Sequence, residues 1–519
     1  MKKLIQGSTE FLSFLIIFIF TLPASFPLLH KGFFLSDDGE WMIVRLTAFF
    51  EAFRQGQFPV RYLLRLNQGY GYPLPDFAYP AFLYIGSVVH VFHIGFIDSV
   101  KIIIFLSLFL GSVFSYIFLR KRFDKISSLT GSFVYLYAPY HLFDLYRRGS
   151  VGELLSISII PFVFLQIENK NKALTAIGIF LLILSHNIIA LISVPALFLY
   201  QLFIYRKEVK KKIIDVFTPF ILGAGLSAFF FIPSVYDLRY IVFQKTDIAD
   251  WSHFFGNLQI VGASSVSILI IGSILYIKNK KDKQLLFFLL LGLIFLFMGT
   301  FVSTPVWKVI PSSFILFPFR FLSLLPISLA FISALAVYFF KTKLKIAIAL
   351  VIAVVSLYSC TAYLNPTQYF PDRNDSFYAT NQATTTASNE YMPRWVKERP
   401  LEMAKSKLEI QKGSPSLQNV SYKSERISFT TKSSDSSEVL VNTIYFPGWN
   451  ATIDGTNSKI NYDNKYGVMT VNIPAGIHNI VFKFSETTPR LFADLISVIS
   501  FVVLVLIIAL ERKYGFRKN

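Results

Sequence analysis

The amino-acid sequence predicts a polytopic α-helical membrane protein with about 12 transmembrane helices and a small β-rich domain before the last helix. Of its 519 residues, 54% are hydrophobic, and the mean hydropathy is +0.53. Apolar runs of about 20 residues, long enough for one helical crossing of a bilayer, recur along the chain. The position of the basic residues between these runs supports the same fold class.

The net charge of +19 is concentrated in short loops between the apolar runs. These loops contain 24 lysines and arginines against five acids, which accounts for the whole excess. They are residues 1–3, 120–125, 168–172, 206–212, 278–283, 341–345 and 511–519. Positive loops of this kind stay in the cytoplasm, so the charge reports membrane topology and does not indicate a nucleic-acid partner.

Placing every basic loop in the cytoplasm fixes the crossings and puts both termini on that side. The predicted crossings are 9–29, 101–119, 126–146, 152–167, 173–186, 188–205, 213–232, 261–277, 284–302, 319–340, 346–363 and 491–510. The apolar stretch 77–96 is left over, and we expect it to lie in the outer interface or to be re-entrant. A cleaved signal peptide is the alternative for residues 9–29, because Lys2 and Lys3 precede it. The single cysteine, Cys360, excludes an internal disulfide.

Acidic residues gather directly after the first crossing, where Asp37, Asp38 and Glu40 emerge on the predicted outer face. Other polar side chains are expected on that face, namely Arg45, Arg61, Arg65, Arg147, Arg148, Glu153, His186, Asn187 and Arg320. The predicted crossings contain few other charges, and charges within the membrane mark the paths of transporters. The distribution therefore favours chemistry at one surface over transport.

The acids have structural as well as functional interpretations. Asp37 fits the N-cap of a helix that begins near Gly39, with Glu40 completing a capping box. Asp38 shares a helical face with Arg45, and charged groups on that apolar face need partners or a ligand. The opposite, solvated stripe is predicted to contain Glu40, Thr47, Glu51 and Arg54.

The other polar groups also have two interpretations. Arg147 and Arg148, with Glu153 about one turn further on, suit a lipid phosphate, or they anchor a helix end at lipid headgroups. His186, taken alone, is more typical of a hydrogen-bonded core histidine. Arg320 either binds a phosphate or anchors the chain at the membrane interface, with the aliphatic part of its side chain buried.

Residues 364–489 differ in composition and predict an outer β-rich domain between the last two helices. The stretches EVLVNTIYFPGW, GVMTVNIPAG and HNIVFKF have strand composition, and Asp454-Gly455 predicts a hairpin turn. This domain is a lid or scaffold, or a glycan-binding module with Trp395 and Trp449 stacking on sugars. FPGW, which contains Trp449, equally fits a packed strand end. The predicted domains are 1–363, with a first outer loop at 30–100 that contains juxtamembrane helices, then 364–489 and 490–519.

The stretches SDDGEWMIVRL, YRRGSVGE, LSHN, LFPFRF, ASNEYMPRWV and YFPGWNATIDG occur in this order. In that order they resemble YfhO-like bacterial membrane proteins of the glycosyltransferase-C superfamily. The resemblance implies a GT-C-like fold and a transferase that uses a polyprenyl-phosphate sugar on the outer face. It also implies an acid after the first helix as base or metal ligand, which corresponds to Asp38 with Asp37 beside it. Relatives often have a histidine a few residues further on, where this chain has Trp41 and Met42.

Transfer from a lipid phosphate needs a carboxylate that takes the acceptor's proton and cations that hold the departing phosphate. Asp38 is the predicted base, and Arg147, Arg148 or Arg320 is the predicted clamp. Asp37 and Asp38 together could also bind Mg²⁺ or Mn²⁺, which prefer oxygen ligands.

The expected partners are a polyprenyl-phosphate-linked sugar donor, a glycan, lipid or polymer acceptor, and membrane lipids. Tyr70 and Tyr72, in GYGYP, offer aromatic faces to a sugar or only form a turn. Substrate binding is expected of these tyrosines and of Glu40, Arg45, Arg61, Arg65, Arg147, Arg148, Glu153, His186, Asn187 and Arg320. Two other classes stay open, namely a lipid or polysaccharide transporter or flippase, and a non-catalytic envelope assembly factor on the same scaffold.

Overall fold

The structure is a computed structural model that describes residues 2–243, 254–309, 315 and 317–515. The helices are α1 (Lys2–Ser25), α2 (Gly39–Arg54), α3 (Ala81–Val91), α4 (Phe96–Arg120), α5 (Lys125–Leu136), α6 (Pro139–Phe143), α7 (Val151–Glu168), α8 (Lys172–Ser185), α9 (Asn187–Tyr205), α10 (Ile213–Leu226), α11 (Ala228–Tyr236), α12 (Leu258–Val261), α13 (Ala263–Lys278), α14 (Lys283–Gly299), α15 (Thr304–Trp307), α16 (Leu325–Tyr338), α17 (Thr342–Cys360), α18 (Asp375–Thr380) and α19 (Thr488–Gly515). The strands are β1 (Phe33–Phe34), β2 (Tyr369–Phe370), β3 (Leu408–Lys412), β4 (Ser416–Lys423), β5 (Arg426–Ser433), β6 (Ser437–Ile444), β7 (Trp449–Ile453), β8 (Thr456–Ser458), β9 (Val468–Ile473) and β10 (Gly476–Phe484).

Among the described residues, seven helices are long and apolar enough to cross a membrane, by length and composition. They are α1, α4, α7, α9, α16 with the turn before it, α17 and α19. Two bent pairs, α10 with α11 and α14 with α15, raise the number to nine if each pair forms one span. The predicted class, a polytopic helical membrane protein with a β-rich region before the last helix, is confirmed.

The other three predicted crossings lie on shorter helices. α8 and α13 have 14 and 16 residues. The predicted crossing 126–146 is broken, because α5 ends at Leu136 and α6 begins at Pro139. A proline disfavours helical backbone in the residue before it, and Ala138 is extended, with ψ 128°. The leftover stretch 77–96 forms α3, whose 11 residues are too few to span a bilayer.

The basic loops gather at one end of the helix bundle. Arg122, after α4, forms an ion pair with Asp282 at the start of α14. Lys345, at the start of α17, lies 2.6 Å from Asp124. Because successive helices run in opposite directions, the first loop, the start of α7, the link from α8 to α9 and the start of α16 share the opposite end.

The β-rich domain contains two antiparallel sheets with the strand orders β4-β5-β10-β7-β8 and β3-β6-β9. Alternate residues of β5 and β10 are buried, as expected for strands with one face on a core. The predicted turn joins β7 to β8, and Asp454 and Gly455 both have positive φ, 50° and 81°. Two such residues are what a type I′ hairpin turn requires.

The two tryptophans of the β-rich domain are packed against protein. Trp449 is buried in the core between the sheets. Trp395 donates its indole hydrogen to the carbonyl oxygen of Tyr445, at 3.0 Å, and its ring lies 5.4 Å from that of Tyr462. The suggestion that Trp449 stacks on a sugar is therefore wrong, because the core already covers its ring.

The segment around α18 covers one face of α2. Arg373 forms an ion pair with Glu40, and the hydroxyl of Tyr378 donates to the same carboxylate at 2.7 Å. The Thr47 hydroxyl is buried beneath this segment and donates to the carbonyl oxygen of Tyr378 at 3.3 Å. The predicted solvated stripe of α2 is thus wrong at Glu40 and Thr47, because a segment more than 300 residues away packs on it.

Candidate functional site

A cavity of about 1080 Å³ lies at the end of the bundle opposite to the basic loops. Its charged and polar lining includes Asp37, Asp38, Arg45, Arg148, His186, Asn187, Arg320 and Glu390. Its apolar lining includes Ile183, Leu191, Val194, Pro195, Phe231 and Val235. Acids, arginines and an apolar wall therefore share one space.

The apolar wall leads toward the surface of the helix bundle. Leu191 and Val235 line the cavity and are also 57% and 66% exposed. They belong to α9 and α11. In a helix that spans a bilayer, exposed apolar side chains face lipid. The cavity therefore opens at the side of the helix bundle, between α9 and α11.

The main chain after α6 fixes the two acids. The Asp37 N–H donates to the carbonyl oxygen of Arg147 at 2.9 Å, and the Asp38 N–H donates to that of Arg148 at 2.8 Å. A π-helical turn over Asp144–Arg148 ends at Gly149, whose φ of 67° is left-handed. This turn brings the arginine pair beside the start of α2.

The structure corrects the predicted capping of α2. The N-cap residue is Asp38 rather than Asp37, and its side chain accepts no capping hydrogen bond. Instead, the hydroxyl oxygen of Ser36 accepts from the Gly39 N–H at 3.2 Å. Glu40 cannot complete a capping box, because Arg373 and Tyr378 hold its carboxylate. Neither adjacent aspartate is thus used as a side-chain cap, and both remain on the cavity lining.

Behind the cavity wall, Glu153 anchors a buried ion network. Its Oε2 lies 2.6 Å from Nη1 of Arg148 and 3.4 Å from Nε of Arg320. Asp144 lies 3.3 Å from the same Nη1 of Arg148, and the hydroxyl of Tyr140 donates to Glu153. All five side chains are buried. Removing one partner from such a network leaves the remaining charges uncompensated in a medium of low dielectric.

Aromatic rings and an acid orient the two arginines. The guanidinium carbon of Arg148 lies 4.9 Å from the ring centre of Phe319, and that of Arg320 lies 4.7 Å from Phe317. Nη2 of Arg148 also lies 3.7 Å from Oδ2 of Asp38. These contacts hold the planar donor groups of both arginines at the cavity surface.

Among the residues that the structure describes, carboxylates outnumber arginines at this site. The arginines that line the cavity are Arg45, Arg148 and Arg320. The carboxylates that line it or lie directly behind it are Asp37, Asp38, Asp144, Glu153 and Glu390. A surplus of acids favours either a bound cation or a proton on one of them.

The surroundings of Asp37 shift the pKa of its carboxyl. Partial burial raises the pKa of its carboxyl above the ordinary value, and the nearby charge of Asp38 also raises this pKa, whereas Arg148 opposes the shift. A base whose pKa lies closer to neutral accepts a proton more readily in a transition state.

His186 links α8 to α9 and lines the cavity. Its Nδ1 accepts the N–H of Ile189 at 3.3 Å, as a side-chain cap at the start of α9. The ring hydrogen of a neutral imidazole is then on Nε2, which lies 3.9 Å from Oε2 of Glu153. The ring also lies 4.4 Å from that of Tyr79. His186 is therefore hydrogen-bonded, as expected, and it also lines the cavity.

The structure corrects the placement of Arg61, which lies outside the cavity lining. Its side chain is 2% exposed and belongs to a second buried ion network. Nε lies 3.0 Å from Glu486 and Nη2 lies 3.2 Å from Asp494. Arg61 thus fastens the first outer loop to α19, a contact that no local pattern near residue 61 could predict.

Three further residues of the first outer loop also lie outside the cavity lining. Arg65 donates to the carbonyl oxygen of Ala379 and, at 3.2 Å, to that of Val44. The rings of Tyr70 and Tyr466 lie 5.9 Å apart. Tyr72 is buried beneath the cavity lining. The predicted sugar-facing role of these tyrosines is therefore wrong, because protein already covers their rings.

Glu40 and Arg147 are the remaining predicted substrate-binding residues outside the cavity lining. Glu40 is held by Arg373, as described above. The Arg147 side chain is half-buried and donates a long hydrogen bond, of 3.4 Å, to the carbonyl oxygen of Ala362. Of the adjacent arginines, only Arg148 points inward, because a π-helical turn sets its direction.

Sequence reasoning missed several residues of the site. They are Trp41, Tyr79, Phe317 and Phe319 from the helical part and Thr386, Ala387, Ser388, Glu390 and Tyr391 from the segment that leads into the β-rich domain. The motif ASNEYMPRWV drew attention to that second group, but a polar run between two domains carries no local sign of its packing partner.

Fold and cavity together define a class of protein, namely a polytopic helical membrane protein with a charged cavity at one end of its helices and an appended β-rich domain. Residues 77–367, more than half of the chain, match the family described as 6-pyruvoyl-tetrahydropterin synthase related domain, membrane protein, and the chain belongs to that family. Residues 401–493 match the family described as bacterial membrane protein YfhO. The resemblance to YfhO-like proteins is confirmed by this second match.

Other similar proteins cover the chain in part. A Lactococcus lactis subsp. cremoris (strain MG1363) protein described as uncharacterized is 24% identical over 260 residues, which are 47% of this chain and 42% of the relative. The oligosaccharyltransferase AglB of Archaeoglobus fulgidus, solved with an inhibitory peptide and a dolichol-phosphate, has a TM-score of 0.41 at 12% identity, covering 73% of this chain and 56% of that one. Arabinofuranosyltransferase AftD from Mycobacteria has a TM-score of 0.47 at 13% identity, covering 69% and 27%. The chain thus spans about half or less of the length of these proteins, and such scores carry no argument about activity.

Proposed function

We propose that this chain is a membrane-embedded glycosyltransferase that moves a sugar from a polyprenyl-phosphate donor to a cell-envelope acceptor on the extracytoplasmic face. One observation carries the proposal: a single cavity combines two adjacent carboxylates, three arginines and an apolar wall that opens between α9 and α11. A lipid-linked sugar phosphate has the matching parts, namely a sugar, an anionic phosphate and a hydrocarbon chain.

The donor phosphate would bind at Arg148 and Arg320. Planar guanidinium groups match phosphate oxygens in pairs, and the ring contacts with Phe319 and Phe317 limit how far these side chains turn. The prenyl chain would leave through the sideways opening, past Leu191 and the exposed apolar face of α9.

The acceptor hydroxyl would transfer its proton to Asp37 as it attacks the anomeric carbon, and the bond from that carbon to the phosphate oxygen would break. The arginines would stabilise the negative charge that develops on the departing phosphate. We assign the base to Asp37 rather than to the predicted Asp38, because the Asp38 carboxylate is paired with Arg148, at 3.7 Å, and the pKa of Asp37 is raised.

A divalent cation fits this site if oxygens of the substrate complete its ligand set. The described residues contain no group of three or more His, Cys, Asp or Glu side chains placed to hold a metal. Asp37 and Asp38 supply two adjacent carboxylates, which suffice for Mg²⁺ or Mn²⁺ where substrate phosphate oxygens complete the ligand set. The surplus of acids supports such binding, and the ion would add positive charge beside the phosphate when bound.

The positions of the basic loops support the extracytoplasmic placement. They gather at the end of the bundle opposite to the cavity, and positive loops remain in the cytoplasm. On this proposal both termini are cytoplasmic, while the cavity and the β-rich domain face outward.

The direct test uses the full chain in proteoliposomes with labelled polyprenyl-phosphate hexoses and a cell-envelope acceptor fraction. We expect protein-dependent transfer that EDTA lowers and Mg²⁺ or Mn²⁺ restores. Transfer that is insensitive to EDTA would refute the metal requirement but would still support the transferase activity. No transfer from any polyprenyl-phosphate donor would contradict the proposed function.

The arginine clamp predicts an effect on the donor. Arg148→Lys keeps the charge but loses the planar donor group, so the donor KM should rise on the order of tenfold. Arg147→Lys is the matched control, because the neighbouring side chain lies outside the cavity lining. Thermal unfolding in detergent should verify that both variants fold. An unchanged donor KM in a folded Arg148→Lys variant would argue against the clamp.

A further inference from the structure

Residues 384–391 form a loop that closes one side of the cavity. It follows α18 and leads into the β-rich domain. Thr386, Ser388, Glu390 and Tyr391 line the cavity. Residues 384–386 are buried, whereas Ala387 and Ser388 are exposed at the tip. The loop thus presents polar groups to the cavity from a fixed base.

The base of this loop has an unfavourable backbone. Thr385 has φ 59° and Asn389 has φ 53°, both in the left-handed region. Asparagine tolerates this region, but a β-branched threonine rarely adopts it. Such a conformation persists only where surrounding contacts hold it. The contacts of Thr385 therefore decide where the loop lies.

Arg45 supplies those contacts. Its Nε donates to Oγ1 of Thr385 at 3.1 Å, and its Nη2 donates to the carbonyl oxygen of the same residue. Tyr72 fastens the other side, since its hydroxyl lies 3.1 Å from that of Thr386 and accepts the Tyr391 N–H at 3.0 Å. Arg45 and Tyr72 were both predicted to bind substrate; both hold the loop, and Arg45 also lines the cavity.

Helix α2 sets the distance between the loop and the acids. Arg45 follows Asp38 by seven residues on α2, which corresponds to about 10 Å along the helix axis. The same helix thus carries the acidic pair at its start and the anchor of the loop two turns later. An acceptor bound between them would meet the acids with its reacting hydroxyl and the loop with its other groups.

We infer that residues 384–391 are the acceptor-binding wall, and that Ser388 and Glu390 bind hydroxyl groups of a glycan acceptor. This inference rests on the proposed function. A carboxylate and a hydroxyl are suitable partners for sugar hydroxyls, because the carboxylate accepts two hydrogen bonds and the hydroxyl both donates and accepts. Arg45 is a positioning residue, which acts through Thr385.

The test compares variants of the full chain in nanodiscs. The probes are hexyl β-D-glucopyranoside, hexyl β-D-galactopyranoside and their monodeoxy analogues, used both as acceptors and in equilibrium binding. Glu390→Gln and Ser388→Ala should raise the acceptor KM and Kd, about tenfold for Glu390→Gln, and leave the donor KM unchanged. Each variant should also lose the preference for one hydroxyl, so that one deoxy analogue binds it as well as its parent sugar does.

Arg45→Lys tests the positioning role. It should raise the acceptor Kd as Glu390→Gln does and should speed hydrogen exchange of residues 384–391, because lysine cannot hold both acceptors of Thr385. The matched control is Arg65→Lys. Arg65 also binds a distant carbonyl oxygen, that of Ala379, but lies outside the cavity lining. It should change neither acceptor binding nor exchange of the loop.

Each outcome decides the inference. Acceptor constants that stay at the parent's values in Glu390→Gln and Ser388→Ala would overturn it, as would a change in the donor KM alone. If glycoside binding depends on these two residues but no transfer occurs, the glycan-binding role of residues 384–391 is supported and the transferase activity is refuted. A parent protein that neither binds the glycosides nor transfers sugar would overturn both.

Discussion

At the scale of single residues, Gly149 determines where the acidic pair lies. Its left-handed backbone, with φ 67°, ends the π-helical turn and returns the chain beside α2. A Cβ atom built at this position would lie 2.7 Å from the Gly39 nitrogen. Only glycine therefore allows the main chain of Arg148 to reach Asp38.

Gly149→Ala tests this role. We expect a loss of stability larger than the roughly 1–2 kcal/mol that left-handed backbone alone costs a residue with a Cβ, together with a fall in transfer as the acids move. Gly455→Ala is the matched control, because its φ is 81° and no atom lies within 4 Å of the added Cβ. Thermal unfolding in detergent and the transfer assay measure the difference. Equal effects of both substitutions would mean that close packing at Gly149 is unimportant.

The sequence predicted which kinds of residue form the site, but it predicted their positions only in part. Asp38, Arg148, Glu153 and Arg320 stood out because charge is rare beside long apolar runs, and the structure brings all four together. The N-cap of α2 was misassigned, because a helix start was judged from its own residues. The carbonyl oxygens of the RRG segment, more than 100 residues away, settle its geometry.

At the scale of elements, α19 is tied to the rest of the molecule by Arg490. Its guanidinium lies 2.9 Å from Asp237 and 3.0 Å from Asp76, and it donates to the carbonyl oxygen of Pro447 at 2.9 Å. The side chains of Arg490 and Asp76 are fully buried. One arginine therefore joins the last helix to the first outer loop, the end of α11 and the β-rich domain.

Replacing this arginine should destabilise the whole assembly. Arg490→Met leaves Asp237 buried without its cation and leaves Asp76 with Arg61 alone, which typically costs about 3–5 kcal/mol. Adding Asp237→Asn should recover part of the loss, since that unpaired charge is then gone. The control is Arg426→Met at an exposed site on β5. Equal unfolding midpoints for Arg490→Met and Arg426→Met would contradict the role of the network.

Long apolar helices and the hairpin at Asp454-Gly455 were predictable, because length and turn chemistry are local properties. The break between α5 and α6 was marked by Pro139, although an apolar run of crossing length continued through it. The contact of α18 with α2 was invisible in the sequence. It depends on the long-range pairing of Arg373 with Glu40.

At the scale of the whole molecule, the proposed function requires that the two ends of the bundle face different compartments. A reporter fused after Lys125 should be cytoplasmic, and one fused near Asp98 should be external. Asp98 lies in the first turn of α4 and Lys125 follows its end, and α4 is long and apolar enough to cross. Alkaline phosphatase fusions report external positions, and fluorescent-protein fusions report cytoplasmic positions. Finding both fusions on the reverse sides would place the cavity in the cytoplasm.

The proposed function requires that the acids at the start of α2 perform the chemistry of a sugar transfer. The most direct measurement is the turnover of labelled polyprenyl-phosphate hexose by proteoliposomes containing the parent chain, Asp37→Asn, Asp38→Asn or Glu51→Gln. Glu51 lies on the same helix, is 45% exposed and pairs with Arg65, so it serves as the matched acid outside the site.

Each aspartate substitution keeps the shape of the side chain and removes its charge. We expect the turnover of Asp37→Asn to fall on the order of a hundredfold or more, because the proton acceptor is lost. Asp38→Asn should also transfer more slowly, and Glu51→Gln should match the parent. The proposed catalytic role of the acids is contradicted if both aspartate variants fold and transfer sugar at the parent's rate.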